Sequence, residues 1–462
     1  MKKVFFLMAF LAVFNAIVYS EQLLDNDDAP SIYPNKITLN EKIVGLSKLW
    51  SEIKYNFVNI DQISFDIDSL YAEYLNHVVN SKNDVEYYDV LGLFIAHFKD
   101  SHTEVYSPYR WNDYNDYIPM IFKEYNNGIY LVSIRKGSCL DSTYIGAKLL
   151  EIESSPVMEW MEKNVYSSIA ASNDKIKQRI AVLKIHGGVK NSYFNATVQK
   201  LDGTITSIHV KRDGEQTRIP EDQSWGIEIS RKYFPIETIW KNKIAILGIK
   251  TFQPEKMIDL IDSHISEIIE NEPQGLIIDL RNNGGGSSNV GFHLQKYLTS
   301  QDYFISFGWE RRINDGYGRA QGNYRKEYEL FYLYKAYKAG AGDTIRIKYE
   351  FSRIKVPVVI LINENCASAC EDFLVNIYEV PNRPLIFGTE TSGTTGAPLV
   401  INMPNGGMAR ICTLRITYPY SGKPFVKKGI SPDIEVCNSL EDDLSDYDRT
   451  LETAINHIKS SQ

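Results

Sequence analysis

The chain has 462 residues, of which 44% are hydrophobic and 23% charged, and it carries a formal charge of −8. That length suffices for two or three domains with cores of their own, and the composition is that of an ordinary globular protein. An acidic chain without basic blocks argues against nucleic acid as the partner.

At the N-terminus Lys2-Lys3 precedes an apolar run from Val4 to Val18, and Val18-Tyr19-Ser20 places short residues where a signal peptidase cuts. Residues 1–20 read as a secretory signal peptide, too short and wrongly flanked for a membrane span. Their removal takes away Lys2, Lys3 and no acid, moving the formal charge from −8 to −10. No later stretch reaches about 18 uninterrupted apolar residues, so the exported chain is expected to have no membrane span and to be periplasmic or extracellular. No cysteine follows the apolar run closely, which argues against a lipid anchor there.

Residues 21–112 are expected to form a helical subdomain. Ile43, Leu46, Leu49 and Ile53, then Leu70, Tyr74, Leu75 and Val78, recur at helical spacing. A third helical segment, Tyr87 to Phe98, runs into Asp100-Ser101-His102-Thr103. Residues 113–235 read as a β-rich module. Gly128 to Ile134 alternates, Gly146 to Ile152 follows, and Phe194 to Leu201 with Ile205 to Val210 makes a hairpin around Asp202-Gly203. A helical insert spans about 156–183.

From 236 to 440 strands and helices alternate, which implies an α/β layer structure. Lys243 to Ile249 and Leu276 to Leu280 are expected strands, with an amphipathic helix between them from Pro254 to Ile269. Arg281-Asn282-Asn283-Gly284-Gly285-Gly286 and a helix from Val290 to Leu298 follow. A polar, aromatic stretch at 309–350 reads as an insertion able to cover a cleft. Val356 to Ile362 is a short β-branched run that reads as a buried strand, and Leu385 to Phe387 is another, leading into the loop Gly388 to Gly396. Residues 441–462 are expected to be a C-terminal helical tail.

The chemistry points to Ser368, which sits among small residues where a strand gives way to a helix. Nucleophiles are placed at such junctions near helix N-terminal amides, although serine is also a common helix cap. A serine hydroxyl needs a base. No lysine lies between Val356 and Gly422, whereas His102 stands in a polar segment at a helix end. His77, His97 and His293 fall in helical patterns and suit packing roles. The glycines at 284–286 permit close approach of backbone amides to a ligand. No Gly-Lys-Ser/Thr follows them, so an oxyanion hole suits them better than a phosphate loop. Its expected donors are the Ala369 amide and that of Gly285 or Gly286. The five cysteines are Cys139, Cys366, Cys370, Cys412 and Cys437. No metal-binding spacing surrounds Cys366 and Cys370, and they read as structural residues beside the serine. No metal and no organic cofactor are expected.

Together, Asp100-Ser-His-Thr103, Asp279-Leu-Arg-Asn-Asn-Gly-Gly-Gly286, Ala367-Ser-Ala-Cys-Glu371, Gly388-Thr-Glu-Thr-Ser-Gly393 and Lys428-Gly-Ile-Ser-Pro-Asp-Ile434 resemble the S41 family of serine peptidases. That family includes the C-terminal processing proteases and the tricorn core protease. The motifs stand in the family's order and cover about 40–437. The resemblance implies a crotonase-like (ClpP/crotonase) α/β catalytic core, an N-terminal helical subdomain and a degenerate PDZ-like module, with Gly146 to Ile152 and Pro156-Val157 as the PDZ-like segment.

One branch of the family pairs its serine with a lysine, which would fall near Gly393, where this chain has none. The Ser–His branch places a serine immediately before the histidine and a glutamate behind it. Ser101-His102 matches, with His102 as base and Ser101 helping to orient the imidazole. The family's glutamate precedes the Gly-Ile-x-Pro-Asp segment, where this chain has Val426-Lys427-Lys428. Glu371, Glu390 and Glu104 are the candidate substitutes, unless the chain does without an acid. The expected function is that of an exported serine endopeptidase acting on extended peptides or unfolded proteins through an acyl-enzyme on Ser368. The alternatives are a weak or inactive S41-fold protein that binds peptides or hydrophobic small molecules, and an esterase.

Overall fold

The computed structural model describes residues 33–213, 224–226, 234–348 and 352–461. The expected signal peptide lies outside the described residues. Among them, no helix is long and apolar enough to cross a membrane.

Three helices open the described chain, α1 (Leu39–Asn56), α2 (Ile67–Asn80) and α3 (Asp84–Ala96). Each starts on a capping side chain. Thr38 forms a reciprocal capping box with Glu41, and Asp66 and Asn83 accept from the amides of Ser69 and Glu86. Such caps satisfy amides that have no intrahelical acceptor. Leu46, Leu49 and Ile53 of α1 and Leu70, Tyr74 and Val78 of α2 are buried at helical spacing.

After α3 the chain turns at Asp100. Its Oδ1 accepts from the His102 amide at 2.9 Å and the Thr103 hydroxyl at 3.1 Å, and its Oδ2 accepts from Asn59 Nδ2 at 3.0 Å. This turn holds the His102 backbone, and β1 (Glu104–Tyr106) follows.

The middle module is an antiparallel sheet. Its strands are β2 (Met120–Tyr125), β3 (Gly128–Arg135), β4 (Lys148–Ile152), β5 (Tyr193–Gln199), β6 (Ile205–Lys211) and β7 (Ser224–Gly226), in the order β7-β3-β4-β5-β6 with β2 also on β3. Helices α4 (Val157–Asn164) and α5 (Asp174–Ile185) form the insert, and Met161, Ile176, Ile180 and Ile185 join Leu131, Leu149 and Val198 in the module's core.

In the last region β8 (Ile236–Lys241), β9 (Ile244–Ile249), β10 (Gly275–Asp279), β11 (Val358–Ile362) and β12 (Leu385–Gly388) build the central sheet. Between β12 and the next central strand, β13 (Pro398–Asn402) and β14 (Met408–Cys412) form a hairpin that pairs with β1; β15 (Ile434–Glu435) then adds to β12. The central order is β8-β9-β10-β11-β12-β15, parallel except for β8.

Side chains on successive strand positions face opposite sides, and here both sides are apolar. Leu247, Ile249, Ile278 and Ile360 pack under α6 (Met257–Glu270), α7 (Ser288–Leu298) and α8 (Ala369–Tyr378). Ile246, Ile277, Val359 and Leu361 pack under α9 (Arg449–Ser460) through Ala454, Ile455 and Ile458. The last helix is therefore a layer of the sheet's own core.

The helical bundle is docked on this region. Leu46, Leu49, Phe57 and Phe94 share one apolar cluster with Ile401, Ala409 and Ile411 of the β13–β14 hairpin. Arg415 adds a polar tie, donating to Asp61 at 2.7 Å, Val58 O at 3.2 Å and Glu310 at 3.0 Å. The expected insertion begins with a strand, Gly308–Arg312, that pairs with Leu414–Thr417, and Arg312 donates to Lys54 O on α1 at 2.7 Å.

Candidate active site

Ser368 is the residue before α8 and holds φ 56° and ψ −130°. A side chain rarely adopts this conformation, and its cost is carried by the surroundings. Two backbone bonds hold the turn: the Ser368 amide donates to Thr394 O at 2.9 Å, and the Asp372 amide donates to Ser368 O at 3.0 Å. The serine's side chain makes no capping hydrogen bond. Its Oγ lies instead 3.2 Å from His102 Nε2, across 266 residues of sequence.

His102 is buried, and burial together with the nearby Arg410 pushes its pKa from 6.5 down to about 3. A neutral imidazole at hydrogen-bond distance from a hydroxyl has the geometry to act as a general base on it. Its other nitrogen, Nδ1, meets Thr394 Oγ1 at 2.6 Å.

The glycine loop packs against the same turn. Gly285 has φ +92°, and a Cβ there would stand 2.6 Å from Ala367 O and 2.7 Å from Ala369 N. The backbone thus comes as close to the serine's turn as glycine allows. The Gly285 amide does not serve as expected, because it donates to Asn283 Oδ1 at 2.9 Å. Asn283 is committed on both sides, since its Nδ2 donates to Ile249 O at 3.0 Å. The Ala369 amide, at the first position of α8, has no intrahelical acceptor. With Gly286 it makes the remaining candidate donor pair.

Ser101 also departs from expectation. Its Oγ accepts from the Ser172 amide at 3.1 Å, and its own amide donates to Ser172 Oγ at 3.1 Å. That reciprocal pair fastens the His102 turn to the segment before α5 and leaves the imidazole to Thr394.

The three candidate acids are likewise placed elsewhere. Glu104 pairs with Arg410 at 2.6 Å, and Arg410 also donates to Ser101 O at 3.0 Å. Glu390 lies 4.0 Å from Lys175 and 3.3 Å from Ser431 Oγ. Glu371 is fully buried under the 391–394 loop, accepting from the Gly393 and Thr394 amides at 2.8 Å each and from the Thr391 hydroxyl. Burial pushes its carboxyl up to about 8 against the pull of those donors. Lys427, in the column of the family's glutamate, donates its amide to Gly393 O at 2.8 Å.

Residues 243–436 match the model of peptidase family S41. That match covers the last region of the chain, the one that holds Ser368. The chain is 25% identical over 268 residues to the carboxy-terminal processing protease CtpA of Bacillus subtilis, covering 56% of this chain and 49% of the relative. It is 26% identical over 320 residues to the carboxy-terminal-processing protease of Bartonella bacilliformis, covering 65% and 66%. The chain thus spans about half the length of the first relative and just under two thirds of the second. Among solved structures, mature CPAF complexed with lactacystin superposes with a TM-score of 0.68 at 16% identity, over 92% of this chain and 99% of that one. A putative peptidase from Parabacteroides merdae gives 0.52 at 16% identity, over 91% and 96%. These two likenesses show a shared mixed α/β fold.

In the Asp279-Leu-Arg segment the charged side chains pair with each other and with the start of α9. Arg281 donates to both oxygens of Asp279 at 2.9 Å and to Asp448, the cap of α9, at 2.8 and 2.7 Å. Burial would raise the Asp279 carboxyl, but Arg281, helped by Lys250, holds it down at about 2. Cys366 and Cys370 are buried free thiols, and Cys366 Sγ donates to Leu280 O at 3.0 Å beneath the glycine loop. Among the described residues, no group of three or more His, Cys, Asp or Glu is arranged to hold a metal. Sequence reasoning missed Thr394, Ser172 and Asn283. Thr394 lies in the quoted Gly/Thr-rich loop, but a threonine there carries no signal of its own.

Proposed function

We propose that this chain is an exported serine endopeptidase of the S41 type, acting through an acyl-enzyme on Ser368. The observation that carries the proposal is the 3.2 Å approach of Ser368 Oγ to the Nε2 of a buried, neutral His102. In attack, Oγ bonds to the scissile carbonyl carbon and its proton passes to Nε2. The carbonyl electrons move onto the oxygen, which the Ala369 and Gly286 amides face. Collapse expels the amine, which takes the proton from Nε2. Water then repeats the sequence to release the acid and restore Ser368.

The substrate is an extended peptide or an unfolded protein. Supporting this, β13 begins just beyond Thr394, and its described pairing is with β14 on one side. An open strand edge recruits an extended peptide through its backbone. The core is crotonase-like and the middle sheet PDZ-like in this reading.

The test is hydrolysis of casein or a peptide library by the chain from Glu21, beside Ser368→Ala and His102→Ala. Turnover abolished in both variants is the expected result. A folded wild-type chain that neither turns over nor is labelled by a fluorophosphonate would overturn the proposal and leave a binding protein on the same fold. That second reading is favoured by the hydroxyl, in place of a carboxylate, on His102 Nδ1.

A further inference from the structure

For Nε2 to accept the serine proton, the neutral imidazole must carry its own proton on Nδ1, and a buried N–H needs an acceptor. The atom facing Nδ1 is Thr394 Oγ1, at 2.6 Å. A hydroxyl has two acceptor lone pairs and suits that place without bringing charge.

Thr394 is itself held by the helix that carries the nucleophile. Glu371 stands three residues after Ser368, in the first turn of α8. Its Oε1 accepts from the Gly393 amide at 2.8 Å and from the Thr391 hydroxyl, and its Oε2 accepts from the Thr394 amide at 2.8 Å. The Thr394 carbonyl in turn accepts from the Ser368 amide at 2.9 Å. One helical turn therefore sets the nucleophile, and through one loop it also sets what the base leans on.

We infer that Thr394, pinned by Glu371, stands in for the missing orienting acid: it is a positioning residue that fixes His102 in the Nδ1–H form. The inference deepens the Ser–His peptidase reading and rests on it for its kinetic part. A neutral hydroxyl orients the imidazole but does not offset the positive charge that forms on it as a carboxylate would.

The test pairs kinetics with 15N NMR of histidine-labelled protein, using Thr394→Val, Thr394→Ser and Glu371→Gln. Valine removes the acceptor at nearly constant shape, and serine keeps it. Thr394→Val is expected to lower kcat about a hundredfold with little change in KM, as loss of base alignment should. His102 should leave the Nδ1–H form in that variant and recover it, with most of kcat, in Thr394→Ser. Glu371→Gln places a donor against backbone amides and is expected to lower kcat in the same direction.

An unchanged Nδ1–H signal in Thr394→Val would overturn the inference whatever the rate, and wild-type kcat and tautomer in Glu371→Gln would remove Glu371 from it. The tautomer is read without turnover. A wild type inert to fluorophosphonate would therefore sink the peptidase reading while the NMR result still decides the role of Thr394.

Discussion

Gly285 lies so close to Ser368 that a Cβ on the glycine would stand 2.7 Å from the serine Cβ. The neighbouring atoms Ala367 O and Ala369 N are backbone and have little room to withdraw. Gly285→Ala is expected to displace the serine's turn. A shift of about 1 Å at reacting atoms costs on the order of a hundredfold in rate, so kcat should fall at least that far. The φ of +92° adds strain of about 1–3 kcal/mol. Peptide hydrolysis and urea unfolding of the variant check both parts, and an alanine that leaves both unchanged would refute the close approach.

The pH profile should carry the mark of a buried base. With the His102 pKa near 3 instead of 6.5, the imidazole stays neutral and competent well into acid. The kcat/KM profile of the free enzyme reports its essential base. It is therefore expected to hold its plateau below pH 6.5, as far as the fold persists. An acid limb centred near 6.5 would show His102 to be solvated or backed by a carboxylate.

His186 gives a stability prediction of a different kind. Its Nε2 accepts from the Phe122 amide at 2.8 Å, which requires the neutral ring, and burial pushes its pKa from 6.5 down to about 4. Between those values the unfolded chain binds the extra proton and the folded chain does not, so stability is lost as pH falls from 6.5 towards 4. At about 1.4 kcal/mol per pKa unit the loss is about 3 kcal/mol. His186→Gln, which keeps an acceptor and removes the titration, should flatten that part of the curve of unfolding free energy against pH. An identical slope in wild type and variant would assign the acid sensitivity elsewhere.

Arg281→Ala tests whether the first half of the S41 glycine motif is structural. The change strands Asp279 and Asp448 without their shared cation, and breaking a buried pair costs about 3–5 kcal/mol. The midpoint of urea unfolding should drop accordingly, with KM for peptide little altered. A large rise in KM at unchanged stability would instead place Arg281 in substrate contact.

The sequence carried those features whose cause is local. Helical spacing in Leu46, Leu49 and Ile53 marked α1, and the apolar run ending in Ile362 marked the strand before Ser368. The glycines at 284–286 and the small residues around Ser368 marked a close backbone approach, because only such residues permit one. The choice of His102 over a lysine also followed from which residue types are present.

What the tertiary structure alone decided are the partners brought together by packing. The resemblance to the Ser–His branch made Ser101 the imidazole's expected helper, yet its hydroxyl is taken by Ser172. Thr394 was one threonine in a run of small polar residues until the docked bundle set it 2.6 Å from His102, 292 residues away. Glu371 was a candidate to touch the base and instead grips the loop behind it. The closing helix read as a tail, because the face of the sheet that it covers is formed by strands far upstream. Periodicity and turn chemistry act between neighbours in the chain and are written there. A hydrogen bond across the joint between two docked units depends on the angle at which their apolar faces meet, and no single segment encodes that angle.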